Sequence, residues 1–274
     1  SLRSYMAQTV EQTEEKKATE ILDGFDNEGD EYSSLEEFWA LTDERDWYLT
    51  LERYWKGKKA NIDDMLGGMT QQIHKIDIQT SIKIIQTYWP KHKTHGKQHK
   101  KKRAENDEEE WVALDCGAGI GRVTQFALGP LFDRVDLVEI NRDFCKVCKQ
   151  RIGKQQYFGG MINKSLHEFK PRANYYHCIW TQWTLEHLTD EDLLTFLRHC
   201  KSALKQTAKH RYCVFKENVC RNNLFYVNLD GSSIIRHKTV FLSIFEKAGL
   251  HVVDVLDQHG FPQDLWPQKI FILN

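Results

Sequence analysis

From Trp111 to the last residue the chain alternates short apolar runs with helix-length amphipathic stretches, and this alternation narrows its fold more than any other feature. Strands are expected at 111–117, 134–140, 178–183, 212–218, 251–258 and 269–274, with a short one near 157–160. Helices are expected near 121–129, 142–151, 190–205 and 232–248. Strand, helix, strand in repetition demands a parallel sheet covered by helices on both faces. The final two strands have no helix between them, so they are expected to pair antiparallel at one edge. The predicted fold is therefore α/β: a seven-stranded, mostly parallel Rossmann-like sheet with an antiparallel edge hairpin.

What precedes Trp111 reads as three segments. Residues 1–33 are acidic and almost free of aromatics, the composition of a flexible segment. Residues 34–90 form a helical extension. Its first part carries Leu35, Phe38, Trp39, Trp47, Leu51, Tyr54 and Trp55 at three- and four-residue spacing, with Ser34 and Glu37 as a capping box. A second helix over 73–89 stops at Pro90. Residues 91–110 run from KHKTHGKQHKKKR to ENDEEE and read as a charged surface loop, leaving 111–274 as the core domain.

With 41% hydrophobic residues, eight Trp and fourteen Phe, there is ample material for a core. No run approaches a membrane span, and SLRSYMAQTV lacks the pattern of a secretory signal. Seven scattered Cys fit reduced thiols and a cytoplasmic or nuclear location. The basic tract is local and balanced by acids, so nucleic acid is not the expected partner. Cys145 and Cys148 form a CxxC without a second pair, which reads as helix packing, and no metal site is expected. His92, His95 and His99 read as part of the solvated loop.

The chemistry concentrates at Asp115-Cys116-Gly117-Ala118-Gly119-Ile120-Gly121-Arg122, where the first core strand gives way to a helix. Glycines at every second position let a bulky ligand lie on bare backbone. The spacing differs from the GxGxxG of dinucleotide folds, and Asp115 suits a cationic ligand better than a pyrophosphate. Glu139 ends the next strand, where a carboxylate can accept both hydroxyls of an adenosine ribose. Arg122 is suited to a ligand carboxylate; Leu166 and His167 are placed to border an adenine.

These residues resemble those of the protein N-terminal methyltransferases, enzymes that methylate the α-amines of proteins beginning Xaa-Pro-Lys. The likeness spans about 54–273. It includes Tyr54-Trp55-Lys56, Asp64 to Gly68, the whole 113–122 segment, Gln182-Trp183, His187 to Asp190, and Glu217-Asn218. The first two lie outside the generic class I methyltransferase core, which makes the match specific. The resemblance implies S-adenosylmethionine as cofactor and S-adenosylhomocysteine as product. It places Gly117, Arg122, Glu139, Leu166 and Gln182 on the cofactor, joined by Gly119 of the glycine turn and His167 beside Leu166 from the reading above. Trp55, Leu66, Trp183, Asn218 and Ser233 then form the peptide channel, with His187, Asp230 and Asn218 as the catalytic group. Family members carry an acid directly before the serine pair, where this chain has Gly231. Either Asp230 substitutes for it, or the acid-base and Lys-recognition roles are weakened. Two other readings stay open: a methyltransferase for a different amine, or a non-catalytic module of the same fold.

Overall fold

The computed structural model describes residues 23–90 and 110–274; the basic tract and its three histidines lie outside the described residues. Seven strands form the central sheet: β3 (Val112–Cys116), β4 (Arg134–Glu139), β5 (Phe158–Asn163), β6 (Cys178–Gln182), β7 (Tyr212–Asn218), β10 (Val252–Asp257) and β11 (Gln268–Leu273). Their order is β10-β11-β7-β6-β3-β4-β5. The five from β3 to β7 run parallel, while β11 is antiparallel to both β7 and β10. Strands β3 and β6 are buried along their whole length, which is why they read as continuous apolar runs rather than alternating ones.

The helical extension divides into four pieces: α1 (Leu35–Leu41), α2 (Glu44–Lys56), α3 (Ile62–Met65) and α4 (Thr70–Tyr88). Ser34 caps α1 by accepting from the Glu37 amide at 3.1 Å. Glu37 returns the bond one residue earlier than a standard capping box, accepting from the Ser33 amide at 2.7 Å. The expected single helix from Ser34 breaks at Thr42, because Asp43 starts a new one by capping the Asp46 amide at 2.9 Å. Helices α5 (Arg142–Ile152), α6 (Asp190–Ala203) and α7 (Lys238–Lys247) cover the sheet. All seven cysteines are free and buried, Cys145 and Cys148 on α5 among them.

Two expectations are corrected. The flexible N-terminal segment is folded from Gly24 onward: β1 (Gly24–Asp26) and β2 (Glu31–Tyr32) pair antiparallel, and β1 adds in parallel to β8 (Phe225–Asn228). Asp26 holds the turn between them, one oxygen accepting from the amides of Glu28, Gly29 and Asp30. The Phe225 ring sits where a Gly24 side chain would be. The helix expected over 232–248 begins only at Lys238, capped by His237. Residues Ser233–Ile235 form β9, hydrogen-bonded antiparallel to β8. The result is a second, four-stranded sheet of order β2-β1-β8-β9 beside the main one.

Candidate active site

A cavity of about 430 Å³ opens at the ends of β3, β4, β6 and β7, beneath α2 to α4. Its floor is the turn from Cys116 to Arg122. Gly117, Gly119 and Gly121 all have left-handed backbone, with φ of 71°, 55° and 77°. A side chain at Gly117 would come within 2.2 Å of the Thr184 hydroxyl, and one at Gly121 within 2.7 Å of Cys148. Gly117 thus keeps the turn against the strand β6 exit, whereas Gly121 lets α5 pack on it. Over Gly119 the neighbour is Met65, 3.0 Å from where a Cβ would stand, so the helical extension closes directly above the loop.

Two carboxylates stand at this end. Glu139 accepts from the Gly119 amide at 2.9 Å and the Asn141 amide at 2.7 Å. Burial pushes its carboxyl up to about 7 in spite of those bonds. Asp115 accepts from the Thr124 hydroxyl at 2.6 Å, and burial pushes it up to about 6. The Gly119 and Asn141 amides fall on separate Glu139 oxygens, and the carboxylate's remaining lone pairs fit a ribose diol. A cradle free of side chains and a carboxylate fixed by the cradle's own amide are what an adenosine ligand requires.

The other end is walled by Trp55 and Trp183, with Leu66, Glu186, His187 and Asn218. Trp183 directly follows β6 and takes φ of 53°, a conformation that costs a non-glycine residue on the order of 1 kcal/mol or more. Its amide donates to the Lys216 carbonyl at 3.0 Å, which holds the indole in the wall. His187 Nδ1 lies 2.9 Å from the Ser232 carbonyl, an atom that can only accept, so Nδ1 carries the proton. Nε2 is then the acceptor, and the Trp55 indole N–H points to it at 3.4 Å. The extension is tied to the core at the same place: Trp47 Nε1 donates to the His187 carbonyl at 2.9 Å, and Asn141 Nδ2 to the Trp55 carbonyl at 3.0 Å.

Beneath both ends lies a buried charge cluster. Asp77 of α4 is wholly buried and accepts from Arg122 Nη1 at 2.7 Å, from Gln182 Nε2 at 2.9 Å and from Lys216 Nζ. Burial alone would raise this carboxyl; the two cations more than offset that and hold it below the usual range. Arg122 was expected to serve a ligand carboxylate. Here it lines the cavity while paired to Asp77, and the cluster as a whole carries one excess positive charge.

Of the residues singled out by sequence, Gly117, Gly119, Arg122, Glu139, Leu166 and Gln182 line the cavity, as do Trp55, Leu66, Trp183, His187 and Asn218. Three do not. His167 stacks on Tyr48, centroids 3.9 Å apart, and lines a neighbouring hollow with Glu52 and Glu168. Asp230 is exposed and accepts from Asn27 Nδ2 at 3.2 Å. Ser233 starts β9, and it is the preceding residue, Ser232, whose carbonyl reaches His187. Asp77, Lys216 and Glu186 were missed. A lone Asp on the apolar side of an amphipathic helix was the available signal for the first.

A strand-end carboxylate bonded to a glycine turn suits a nucleoside bearing positive charge. That is the arrangement of the S-adenosylmethionine-dependent methyltransferases. The family model described as AdoMet dependent proline di-methyltransferase matches residues 43–274, and the chain belongs to that family. It is 37% identical over 221 residues to the α N-terminal protein methyltransferase 1 of Schizosaccharomyces pombe, covering 80% of this chain and 92% of the other. It is 33% identical over 238 residues to the human N-terminal Xaa-Pro-Lys N-methyltransferase 1, covering 85% and 98%. A solved SAM-dependent methyltransferase from Leishmania major superposes with a TM-score of 0.81 at 30% identity, over 96% of this chain and all of that one. The protein is thus a methyltransferase enzyme that uses S-adenosylmethionine.

Proposed function

We propose that the chain methylates the α-amino group of protein N-termini beginning Xaa-Pro-Lys, in the cytoplasm or nucleus. One observation carries the reading: a single cavity joins the glycine cradle to a slot walled by Trp55 and Trp183 and covered by the helical extension. The relatives named for Xaa-Pro-Lys methylation support the substrate class.

Gly117, Gly119, Glu139, Leu166 and Gln182 would hold the cofactor, with the Asp77–Arg122–Lys216 cluster supplying the net positive charge that its carboxylate needs. When bound, the cofactor supplies an electrophilic methyl on sulfur. The rest of the work is positioning. An α-amine titrates near about 7.7 to 8.0, against about 10.4 for a lysine, so a free amine at neutral pH costs little. Trp55 and Trp183 would admit an unbranched chain end, and Leu66 offers an apolar surface to a proline with no amide to satisfy. His187 presents Nε2 beside Trp55. Asp230 faces away from this slot, so its place is at the outer surface, where it suits the lysine that follows the proline. Seven buried free thiols agree with a reducing compartment.

Mass spectrometry of an Xaa-Pro-Lys peptide incubated with enzyme and cofactor should show one-methyl increments at the α-amine. Asn218→Lys should abolish them while S-adenosylhomocysteine still binds. Transfer to a lysine side chain or to a small amine, with the peptide untouched, would overturn the reading.

A further inference from the structure

Three carboxylates line the cavity: Asp115, Glu139 and Glu186. The first two belong to the cofactor end, bound to Thr124 and to the loop amides. Only Glu186 faces the slot between the tryptophans. It sits on the single turn Leu185–His187, and Asn218 Nδ2 donates to its Oε2 at 3.3 Å. Behind it stands Glu217, wholly buried, one oxygen accepting from the Thr184 and Leu185 amides at 3.0 Å each. Burial, and then the negative charge of Glu186, push the Glu217 carboxyl up. Arg236, the cation felt by Glu217, is committed elsewhere: to the Leu185 and Leu188 carbonyls at 3.2 and 2.6 Å and to Asp190 at 2.8 Å. His187 is engaged at Nδ1 by the Ser232 carbonyl, and its Nε2 faces the Trp55 indole N–H. Among the described residues, Glu186 has no cation bonded to it, and it stands next to Asn218 of the expected peptide channel.

We infer that Glu186 is the anchor on which the charged amino terminus of the substrate first binds, before it gives up the proton that transfer requires, a specificity-determining residue that selects chains with an unblocked α-amine. This rests on the reading that a protein N-terminus enters the slot. It also gives a role to the Asn218 side chain, which orients the carboxylate. Asp230, expected to act at this point, lies outside the cavity, and Glu186 is the acid the slot does contain.

The test is a thermodynamic cycle of two peptides against two enzymes, read by calorimetry at pH 7 with S-adenosylhomocysteine present. One peptide begins Ala-Pro-Lys; the other is its desamino analogue, with hydrogen in place of the α-amine. Wild-type enzyme should prefer the amine by about tenfold or more, the scale of a close charge pair out of water. Glu186→Gln should reduce that preference to about twofold or less, and Glu186→Asp should leave it in between. Unchanged S-adenosylhomocysteine affinity shows that each variant is folded; if Glu186→Gln is not, Glu186→Asp alone must show a reduced preference. Wild-type enzyme without the preference, or variants that keep it in full, would overturn the inference while methylation of the peptide upheld the substrate class. A wild-type enzyme that neither binds nor methylates the peptide would remove the substrate class, and the anchor with it.

Discussion

The cavity floor is built on one turn, with Gly117, Ala118, Gly119 and Arg122 lining it, shaped by three left-handed glycines and by the hydrogen bond from the Gly119 amide to Glu139. The slot some residues away is assembled differently. Trp55 comes from α2, Trp183 and His187 from the exit of β6, Asn218 from the end of β7, and the carbonyl that fixes His187 from the turn before β9. A side-chain-free floor suits a ligand that does not vary. A wall of side chains from separate segments suits one that does, because each element can change without disturbing the cradle. The contrast implies that damage to the floor should fall on cofactor affinity, and damage to the walls on the peptide.

The strongest attempt to break this contrast is Gly117→Ala. The new methyl would stand 2.2 Å from Thr184 Oγ1, on a backbone with φ of 71° that alanine rarely adopts. S-adenosylhomocysteine affinity should fall on the order of a hundredfold or more, about 3 kcal/mol. Calorimetry giving an affinity within a few-fold of wild type would mean that the cradle is not made by bare backbone.

A second variant sharpens it, because Asp77 supports both ends at once. Asp77→Ala would strand Arg122 and Lys216, two cations that share this one buried carboxylate. Removing one partner of a buried pair costs about 3 to 5 kcal/mol. For a chain of this size that is on the order of 10 °C in melting temperature. Affinity for the cofactor product and for the peptide should fall together, since α4 is then free to lift from Gln182 and the loop. A melting temperature unchanged from wild type would show the cluster to be incidental.

The same contrast explains what could be read in advance. The main sheet and the glycine cradle are contiguous patterns: apolar strands of five to seven residues, and a seven-letter turn. Both are visible one window at a time. The slot depends on pairings across the chain. Gly24 to Asp26 form a strand only because Phe225 to Val227 lie alongside, about two hundred positions away, so their acidic composition points to a flexible tail instead. Ser232, Ser233, Ile234 and Ile235 look like a capped helix start that continues in phase with Phe241 and Ile244. Pairing with β8 overrides that local preference. The motif puts Asp230 in the catalytic group, whereas its carboxylate is exposed and accepts from Asn27. Glu186 adjoins His187 within a recognised segment and drew no notice, as nothing local marks it as facing a cavity.

The mildest variant concerns that N-terminal strand pair. Asn27 bridges the small sheet to the turn Leu229–Gly231: its Nδ2 donates to Asp230 at 3.2 Å, and its Oδ1 accepts from the Leu229 amide at 2.7 Å. This turn leads into Ser232, whose carbonyl holds His187. Asn27→Ala removes both bonds at an exposed position, so the loss of stability should be about 1 kcal/mol. If the slot is tuned from its outer supports, KM for an Xaa-Pro-Lys peptide should rise about two- to fivefold, corresponding to less than about 1 kcal/mol. S-adenosylhomocysteine affinity should not move, because nothing in the glycine turn touches β1. A change in cofactor affinity without one in KM would place the N-terminal strands in support of the floor rather than the walls, and the division drawn between the two ends would fail.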